Sequence, residues 1–132
     1  MKDSIIRLSQ RAIIAIHVID YMIRKKEKIY IASDISNNLG ISYNHLSKIL
    51  QILAKHGYLK TYKGPLGGYI LTEKGKNAKI SEIIELVDGK ISYKTCLMST
   101  SICEKKNCSF KKFIKETLEK YKKLISLKIN DI

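Results

Sequence analysis

Two short helical segments meet at Gly40, Ile41 and Ser42, and a pair of β-prone segments follows them directly. Ser33 is a candidate N-cap for the first helix, which runs to Leu39, and Gly40 suits the left-handed residue that ends a helix. Ser42 is the candidate cap of the second helix. Its apolar residues recur at helical spacing, at Leu46, Ile49, Leu50 and Leu53. This arrangement predicts a helix-turn-helix.

A β-hairpin is predicted after the second helix, which ends near Gly57. Tyr58 to Lys63 form the outgoing strand, Gly64 to Gly68 the turn, and Tyr69 to Thr72 the returning strand. A hairpin that follows a helix-turn-helix is a wing. The central part of the chain is therefore predicted to be a winged helix-turn-helix.

Further helices are predicted on both sides of this unit: Ser4 to Arg24, Ser81 to Asp88, and about Cys108 to Ile129. The expected fold is mainly α with a small β wing, a winged helix-turn-helix plus a long C-terminal dimerisation helix. A helix of some 20 residues spans roughly 30 Å, so its far end has little of this chain to pack on and a second copy is expected to cover it. We divide the chain at residue 79, with the first helix and wing in 1–79 and the cysteine loop and dimerisation helix in 80–132.

The charge of the chain indicates a polyanionic partner, because 25 Lys and Arg stand against 12 Asp and Glu, a net charge of +13. No apolar run is long enough for a membrane span, and the N-terminus does not resemble a signal peptide, so we expect a cytoplasmic protein without a membrane partner. Paired carboxylates, a nucleophile beside a base and a phosphate-binding loop are all missing from the sequence. An enzyme is therefore not expected.

The second helix and the wing are the candidate DNA-binding surface, since the segment from Ser42 to Lys79 holds seven Lys and a single acid, Glu73. On the helix, the candidates for base and phosphate contacts are Ser42, Tyr43, Asn44, His45 and Lys48. On the wing they are Lys63, Gly64, Pro65, Gly67 and Gly68. Two other interpretations remain open: a solvated lysine face, and RNA binding, which would need more aromatic platforms than one short hairpin offers.

Three cysteines, Cys96, Cys103 and Cys108, lie in a segment whose composition suits an irregular loop. Their spacing lacks the close pairs of zinc fingers and of many ferredoxin-like sites. Neighbouring lysines, including Lys111, would offset the charge of an anionic cluster. From the residues alone, inert cysteines and a metal or cluster site are about equally supported. A small electron-carrying iron–sulfur protein is a further alternative, which the lysine-rich wing disfavours.

The chain resembles the Rrf2 family of bacterial winged-helix regulators from its first helix to its last. The resemblance is carried by residues 41–49, by Leu53 with Gly57 and Tyr58, by the wing at 63–69, and by residues 80–89. It implies a homodimer, crossed through the long C-terminal helices, that binds a pseudo-palindromic promoter in double-stranded DNA and acts as a repressor.

In this family the three loop cysteines bind an iron–sulfur cluster, so the resemblance implies such a cofactor at Cys96, Cys103 and Cys108, with [4Fe-4S] favoured and [2Fe-2S] as the alternative. The Asn44-His45 pair is most similar to the NsrR group, which implies nitric oxide or redox sensing. The alternatives are an IscR-like regulator of cluster assembly genes and a CymR-like regulator that has no cluster and responds to a partner protein.

The fourth cluster ligand is the point at which this sequence departs from the family. In NsrR-like members an Asp near the N-terminus of the partner subunit completes the site, and Gln10 stands at that position here. In IscR-like members a His three residues after the last Cys does so, and here that residue is Lys111. We rank Gln10 first by position and Asp3 second by chemistry, with His17 or a small exogenous ligand also open.

Overall fold

The computed structural model describes residues 8–65, 67–93 and 106–132. In chain order its helices are α1 (Gln10–Lys25), α2 (Ala32–Leu39), α3 (Tyr43–Lys55), α4 (Glu73–Lys76), α5 (Ile80–Asp88) and α6 (Ser109–Ile125), with a final 3-10 turn at Ile129–Asp131. An antiparallel hairpin lies between α3 and α4 and consists of β1 (Leu59–Tyr62) and β2 (Gly68–Leu71). The predicted fold class, mainly α with a small β wing, is confirmed. No helix of these ranges is long and apolar enough to cross a membrane.

The first helix starts later than its apolar repeat suggests. Ser9 is extended and its side chain accepts a hydrogen bond from the backbone N–H of Ala12 at 3.0 Å, which begins α1 at Gln10. Leu8, predicted to lie in the helical stripe, precedes the helix and is exposed, and residues 4–7 lie outside the described ranges. The buried side of α1 is fully covered at Ala12, Ala15, Val18, Ile19 and Met22. It therefore forms the centre of the core.

The junction between α2 and α3 is fixed by its own hydrogen bonds. The Ser36 hydroxyl donates to the Ile41 carbonyl at 2.5 Å, and the Ile41 N–H donates to the Ser36 carbonyl at 3.1 Å. Ser33 is not the N-cap of α2. The helix begins two residues earlier than predicted, with Ile31 as its N-cap, because Tyr30 is bridged to Tyr69 and the chain leaves that extended segment directly.

Gly40 has the left-handed backbone that was predicted, with φ of +64°, and a Cβ added there would meet no atom within 4 Å. Gly40→Ala is therefore expected to destabilise the protein through backbone strain alone, by about 1 kcal/mol. Gly40→Asn is the matched control and is expected to cost less, because Asn tolerates this conformation. Urea unfolding of the three proteins measures the effect. Equal stability of the alanine variant and the original chain would contradict it.

The wing differs from its prediction by one residue at each end. Tyr58 precedes β1, and Gly68 lies in β2, where it pairs with Tyr62. Gly68 is required at this position because a Cβ would lie 3.2 Å from the Tyr30 carbonyl oxygen and 2.6 Å from an Ile29 methyl. The sequence did not predict the short helix α4, in which the Thr72 side chain accepts a hydrogen bond from the N–H of Gly75.

The last helix ends at Ile125 rather than Ile129, because the chain turns back onto the core. The Ile129 N–H donates to the Ala78 carbonyl at 2.9 Å, and the Ile80 N–H donates to the Leu127 carbonyl at 3.0 Å. Ile129 is completely buried. The prediction that the far end of this helix lacks packing within the chain was therefore wrong. Residues on both sides of position 79 share one core, and the division there stays a prediction.

Candidate nucleic-acid interface

The two faces of α3 differ as the sequence predicted. Its buried face consists of Leu46, Ile49, Leu50 and Leu53, each at most 1% exposed. Tyr43, Asn44, His45 and Lys48 are exposed on its first turns, and Tyr43 is 54% exposed. Ser42 occupies the N-cap position, but its exposed hydroxyl makes no capping hydrogen bond. The predicted contact residues of α3 therefore lie together at one exposed helix end.

A groove of about 460 Å³ separates the start of α3 from the wing. Tyr43 and Ser47 line it on the helix side, and Gly67, Gly68 and Tyr69 line it on the wing side. Burial, together with the neighbouring Tyr43, raises the pKa of Tyr69, so its hydroxyl remains a protonated donor at neutral pH. Of the predicted residues, the structure thus places Tyr43 and the two wing glycines on one concave surface, which Asp34 of α2 also lines.

The wing tip is compact. The N–H of Gly67 donates to the Gly64 carbonyl at 3.0 Å and closes the turn, while Lys63 and Pro65 are exposed beside it. An exposed lysine on a tight backbone turn can approach a phosphate closely. All five predicted wing residues therefore lie at the turn or directly beside it.

The N-terminal end of α1 lies against α3, which the sequence did not predict. Gln10 and Arg11 share a hollow of about 400 Å³ with His45 and Lys48. Arg11 is exposed in the first turn of its helix, where a positive charge is unfavourable for the helix dipole. The positive charge at this unfavourable position is the sequence feature that could have identified Arg11 as part of the candidate interface.

Most of the lysines around α3 and the wing are free to meet an anion. Lys74 donates to the His56 carbonyl at 2.8 Å and lies 4.5 Å above the Tyr58 ring, so it supports the fold. Lys76 lies 3.3 Å from Glu73. The other five are exposed, and neither ion pair of the described residues includes them: Lys48, Lys55, Lys60, Lys63 and Lys79. The positive potential of this surface is therefore not neutralised internally.

Of the predicted metal ligands, the structure describes Cys108 and Gln10, and also the further candidate His17, which is exposed on α1. Cys96, Cys103 and Asp3 lie outside the described residues. Cys108 is partly exposed directly before α6, in a hollow of about 420 Å³. The hollow is also lined by four lysines, Lys106, Lys111, Lys112 and Lys115. Within the described ranges, no three His, Cys, Asp or Glu side chains come together as a metal site. Gln10 is exposed and shares a hollow with His45. It is not among the residues that line the hollow at Cys108.

A polar contact links the end of α5 to the start of α1. The Asp88 carboxylate accepts hydrogen bonds from both the N–H and the hydroxyl of Ser9, the residue that caps α1. Asp88 is the last residue of α5 and lies on the chain just before the cysteine-bearing segment. Sequence patterns could not reveal this contact, because the two residues are 79 positions apart.

Comparison with known proteins decides the family. The profile of the Rrf2 family, described as iron-dependent transcriptional regulators, matches residues 8–132. The chain belongs to the Rrf2 family. It is therefore a transcriptional regulator with a winged DNA-binding fold rather than an enzyme.

Relatives and solved structures support the same assignment. The HTH-type transcriptional regulator IscR of Escherichia coli is 33% identical over 64 residues, which are 48% of this chain and 40% of that protein. The matched segment thus spans less than half of this relative. CymR, the global cysteine regulator of B. subtilis, superposes with a TM-score of 0.73 at 18% identity over 96% of this chain and 95% of its own. IscR of T. potens gives a TM-score of 0.60 at 21% identity, over 96% and 85%.

These comparisons confirm the predicted family and do not distinguish its groups. IscR and CymR are both among the similar proteins, so the finer resemblance to NsrR remains a prediction.

Proposed function

We propose that this regulator is a homodimeric repressor that binds promoter DNA through α3 and the wing and responds to nitric oxide or redox state through an iron–sulfur cluster. The observation that carries the DNA-binding part is the exposed first turn of α3 beside the wing, together with Lys48 and Lys63, which are exposed and take part in neither ion pair of the described residues. In this arrangement the first turn of α3 enters the major groove, where Asn44 and His45 contact base edges. Lys48, Lys63 and Arg11 contact phosphates.

A second copy of the chain is the proposed partner of α6. Phe110 and Phe113 lie one turn apart on this helix and are 65% and 62% exposed, and Leu124 further along is 52% exposed. Isolated exposed apolar residues are ordinary, but large ones that recur along one amphipathic helix are typical of an interface. Pairing of two α6 helices would bury these side chains and would hold two copies of α3 at a fixed separation, as a two-part operator needs.

The double variant Phe110→Ser/Phe113→Ser is expected to dissociate the dimer, because two large apolar contacts are lost from each subunit. Sedimentation equilibrium should give twice 15.1 kDa for the original chain and 15.1 kDa for this variant. The matched control, Phe110→Leu/Phe113→Leu, keeps the apolar surface and should remain dimeric. A monomeric original chain, or a dimer that tolerates both serines, would contradict the proposal.

The hollow at Cys108 supports the cluster part of the proposal. Four lysines around this thiol provide a positive environment for an anionic group, and the donor chemistry fits a thiolate-bound cluster. Cys96, Cys103 and Cys108 would hold the cluster, with Gln10 or Asp3 as candidates for the fourth ligand. When bound, an iron–sulfur cluster supplies a centre that reacts with oxidants and with nitric oxide.

Visible absorption of protein purified without oxygen, recorded before and after addition of nitric oxide, tests this part. A cluster band that is lost or replaced on addition is the expected result. A colourless, iron-free protein that still binds DNA would contradict the cluster proposal, and would instead support a CymR-like regulator without a cluster.

The contact between Ser9 and Asp88 is the proposed route from the cysteine segment to the DNA surface. A displacement of Asp88 would move Ser9, the N-cap of α1, because the two residues are hydrogen-bonded. The next two residues, Gln10 and Arg11, share a hollow with His45 and Lys48 on α3. Two elements in direct contact can transmit a change if both have two arrangements.

Ser9→Gly is expected to weaken this transmission while costing α1 little, because Gly is an acceptable N-cap. The change in DNA affinity on addition of nitric oxide should fall at least severalfold, with little change in affinity before addition. Ser92→Gly, at an exposed serine outside this contact, is the control. Fluorescence anisotropy with labelled operator DNA measures both. An unaltered response in the Ser9 variant would exclude this route.

A further inference from the structure

A cavity of about 780 Å³ lies between the end of α1, the wing strand β2 and the C-terminal turn. None of its lining residues is among the residues proposed to contact DNA or in the cysteine segment, although Ile70 and Leu71 belong to the wing strand β2. Its apolar wall includes Met22, Tyr30, Ile70 and Leu71, and Asn130 of the final turn also lines it. This volume is within the range of sites that hold small organic ligands.

The charged residues at this cavity are mostly basic. Lys26, Lys28 and Lys76 line it together with one acid, Glu27, and all four are exposed. Lys76 lies 3.3 Å from Glu73, but both side chains are mainly in solvent, so this pair is weak and the ammonium group can be recruited by a ligand. An apolar wall beside three ammonium groups is complementary to a molecule with an apolar body and a negative charge.

Hydrogen bonds hold part of the wall in place. The Tyr30 hydroxyl accepts a hydrogen bond from the Glu27 N–H at 2.8 Å and donates to the Met22 carbonyl at 2.5 Å. Lys26 is the only non-glycine residue with positive φ among the described residues, at +53°, a conformation that is strained for an L-amino acid. Lys26 adopts this conformation as the C-cap of α1, where its N–H donates to the Met22 carbonyl at 3.2 Å, so its position at the cavity is fixed by the end of the helix.

We propose that this cavity binds one small amphipathic anion, a carboxylate attached to an apolar chain or ring. The apolar part would pack on Ile23, Ile70 and Leu71, which are only partly buried, and the carboxylate would lie between Lys26 and Lys76. Because Ile70 and Leu71 belong to β2, an occupant would contact the base of the wing directly. This site would be a second input to the regulator, and it goes beyond the proposed cluster.

Amide NMR of the full-length chain, titrated with octanoate and with its neutral analogue 1-octanol, tests the site. Octanoate should give saturable shifts at Ile23, Ile70 and Leu71 with one affinity, and should bind at least about fivefold more tightly than octanol. In Lys26→Gln/Lys76→Gln, loss of two weak charge contacts should reduce octanoate affinity about tenfold and leave octanol affinity unchanged. Lys120→Gln/Lys123→Gln, which removes the same charge from exposed positions on α6, should bind octanoate as the original chain does.

Three results would overturn the proposal. The first is an absence of octanoate shifts at the cavity. The second is a set of shifts that centres on Phe110 and Phe113, which would indicate adsorption to the exposed face of α6. The third is an equal affinity of the original chain for octanoate and octanol, or an equal loss of octanoate affinity in the two double variants. Either result would show that Lys26 and Lys76 do not recognise the carboxylate.

Discussion

Lys48→Ala/Lys63→Ala is expected to weaken binding to duplex DNA about a hundredfold for each half-site at about 0.1 M salt, which is about ten-thousandfold for a dimer that contacts both half-sites. Both side chains are exposed, one on α3 and one at the wing tip, and neither takes part in an ion pair of the described residues. Each phosphate contact releases close to one counterion, which is worth roughly tenfold in affinity at this salt concentration. The slope of log affinity against log salt should also become less steep by roughly 1.8 for each half-site, or roughly 3.6 for the dimer.

The matched control is Lys120→Ala/Lys123→Ala, which removes two exposed lysines from α6. Its net charge equals that of the first variant, so a nonspecific charge effect would weaken both equally. We expect the α6 variant to retain most of the affinity. Fluorescence anisotropy across a salt series measures both the affinity and its salt dependence. Equal losses of affinity in the two variants would show that the DNA binds elsewhere on the molecule.

Replacement of Cys96, Cys103 and Cys108 together with alanine is expected to abolish bound iron and the response to nitric oxide. For the original chain, addition of nitric oxide should change operator affinity by roughly 5- to 150-fold, the usual range of coupling between two sites. The variant should show no change, because the residues that hold the cluster are missing. It should remain a folded dimer, since Ile114, Leu118 and the rest of the described core are unaltered.

His56→Ala is the control for this experiment. His56 is a potential metal ligand, but it lies at the end of α3 and is distant from the cysteines in sequence. It should keep both iron and response. Iron analysis, circular dichroism and operator anisotropy are measured on the same anaerobic samples. A full response in the triple cysteine variant would show that the signal acts through other residues.

The helix-turn-helix and the wing could be predicted because local patterns determine them. Gly40 adopts the left-handed conformation that its position suggested, and the apolar repeat of α3 matches its buried face. The short helix α4 carries no such pattern. It has four residues, and its contacts, including the Thr72 cap, are visible only in three dimensions.

The predicted start of α1 and the predicted end of α6 were wrong for the same reason. Apolar residues continue past both helix ends, at Leu8 before α1 and at Ile129 after α6, so periodicity extended the helices too far. Tertiary hydrogen bonds decide the actual ends. Asp88 holds the capping Ser9, and the Ala78 carbonyl accepts from Ile129.

The candidate interface was predicted only as far as single elements allow. Exposed residues of α3 follow from its amphipathic pattern, and the wing turn follows from its glycines. The position of Arg11 beside His45 depends on how α1 packs on α3, and no local pattern contains that information. The same holds for the cavity below β2, which combines residues from four separate parts of the chain.

Selection of duplex DNA from a random-sequence library, with the full-length chain purified without oxygen, tests the central claim most directly. The account predicts enrichment of an inverted repeat whose half-sites lie about one helical turn apart, one for each copy of α3. Asn44→Ala and His45→Ala should each change the preferred bases within the half-site. The absence of any enriched duplex sequence, or an enriched site that both variants select unchanged, would contradict a role for α3 in reading promoter DNA.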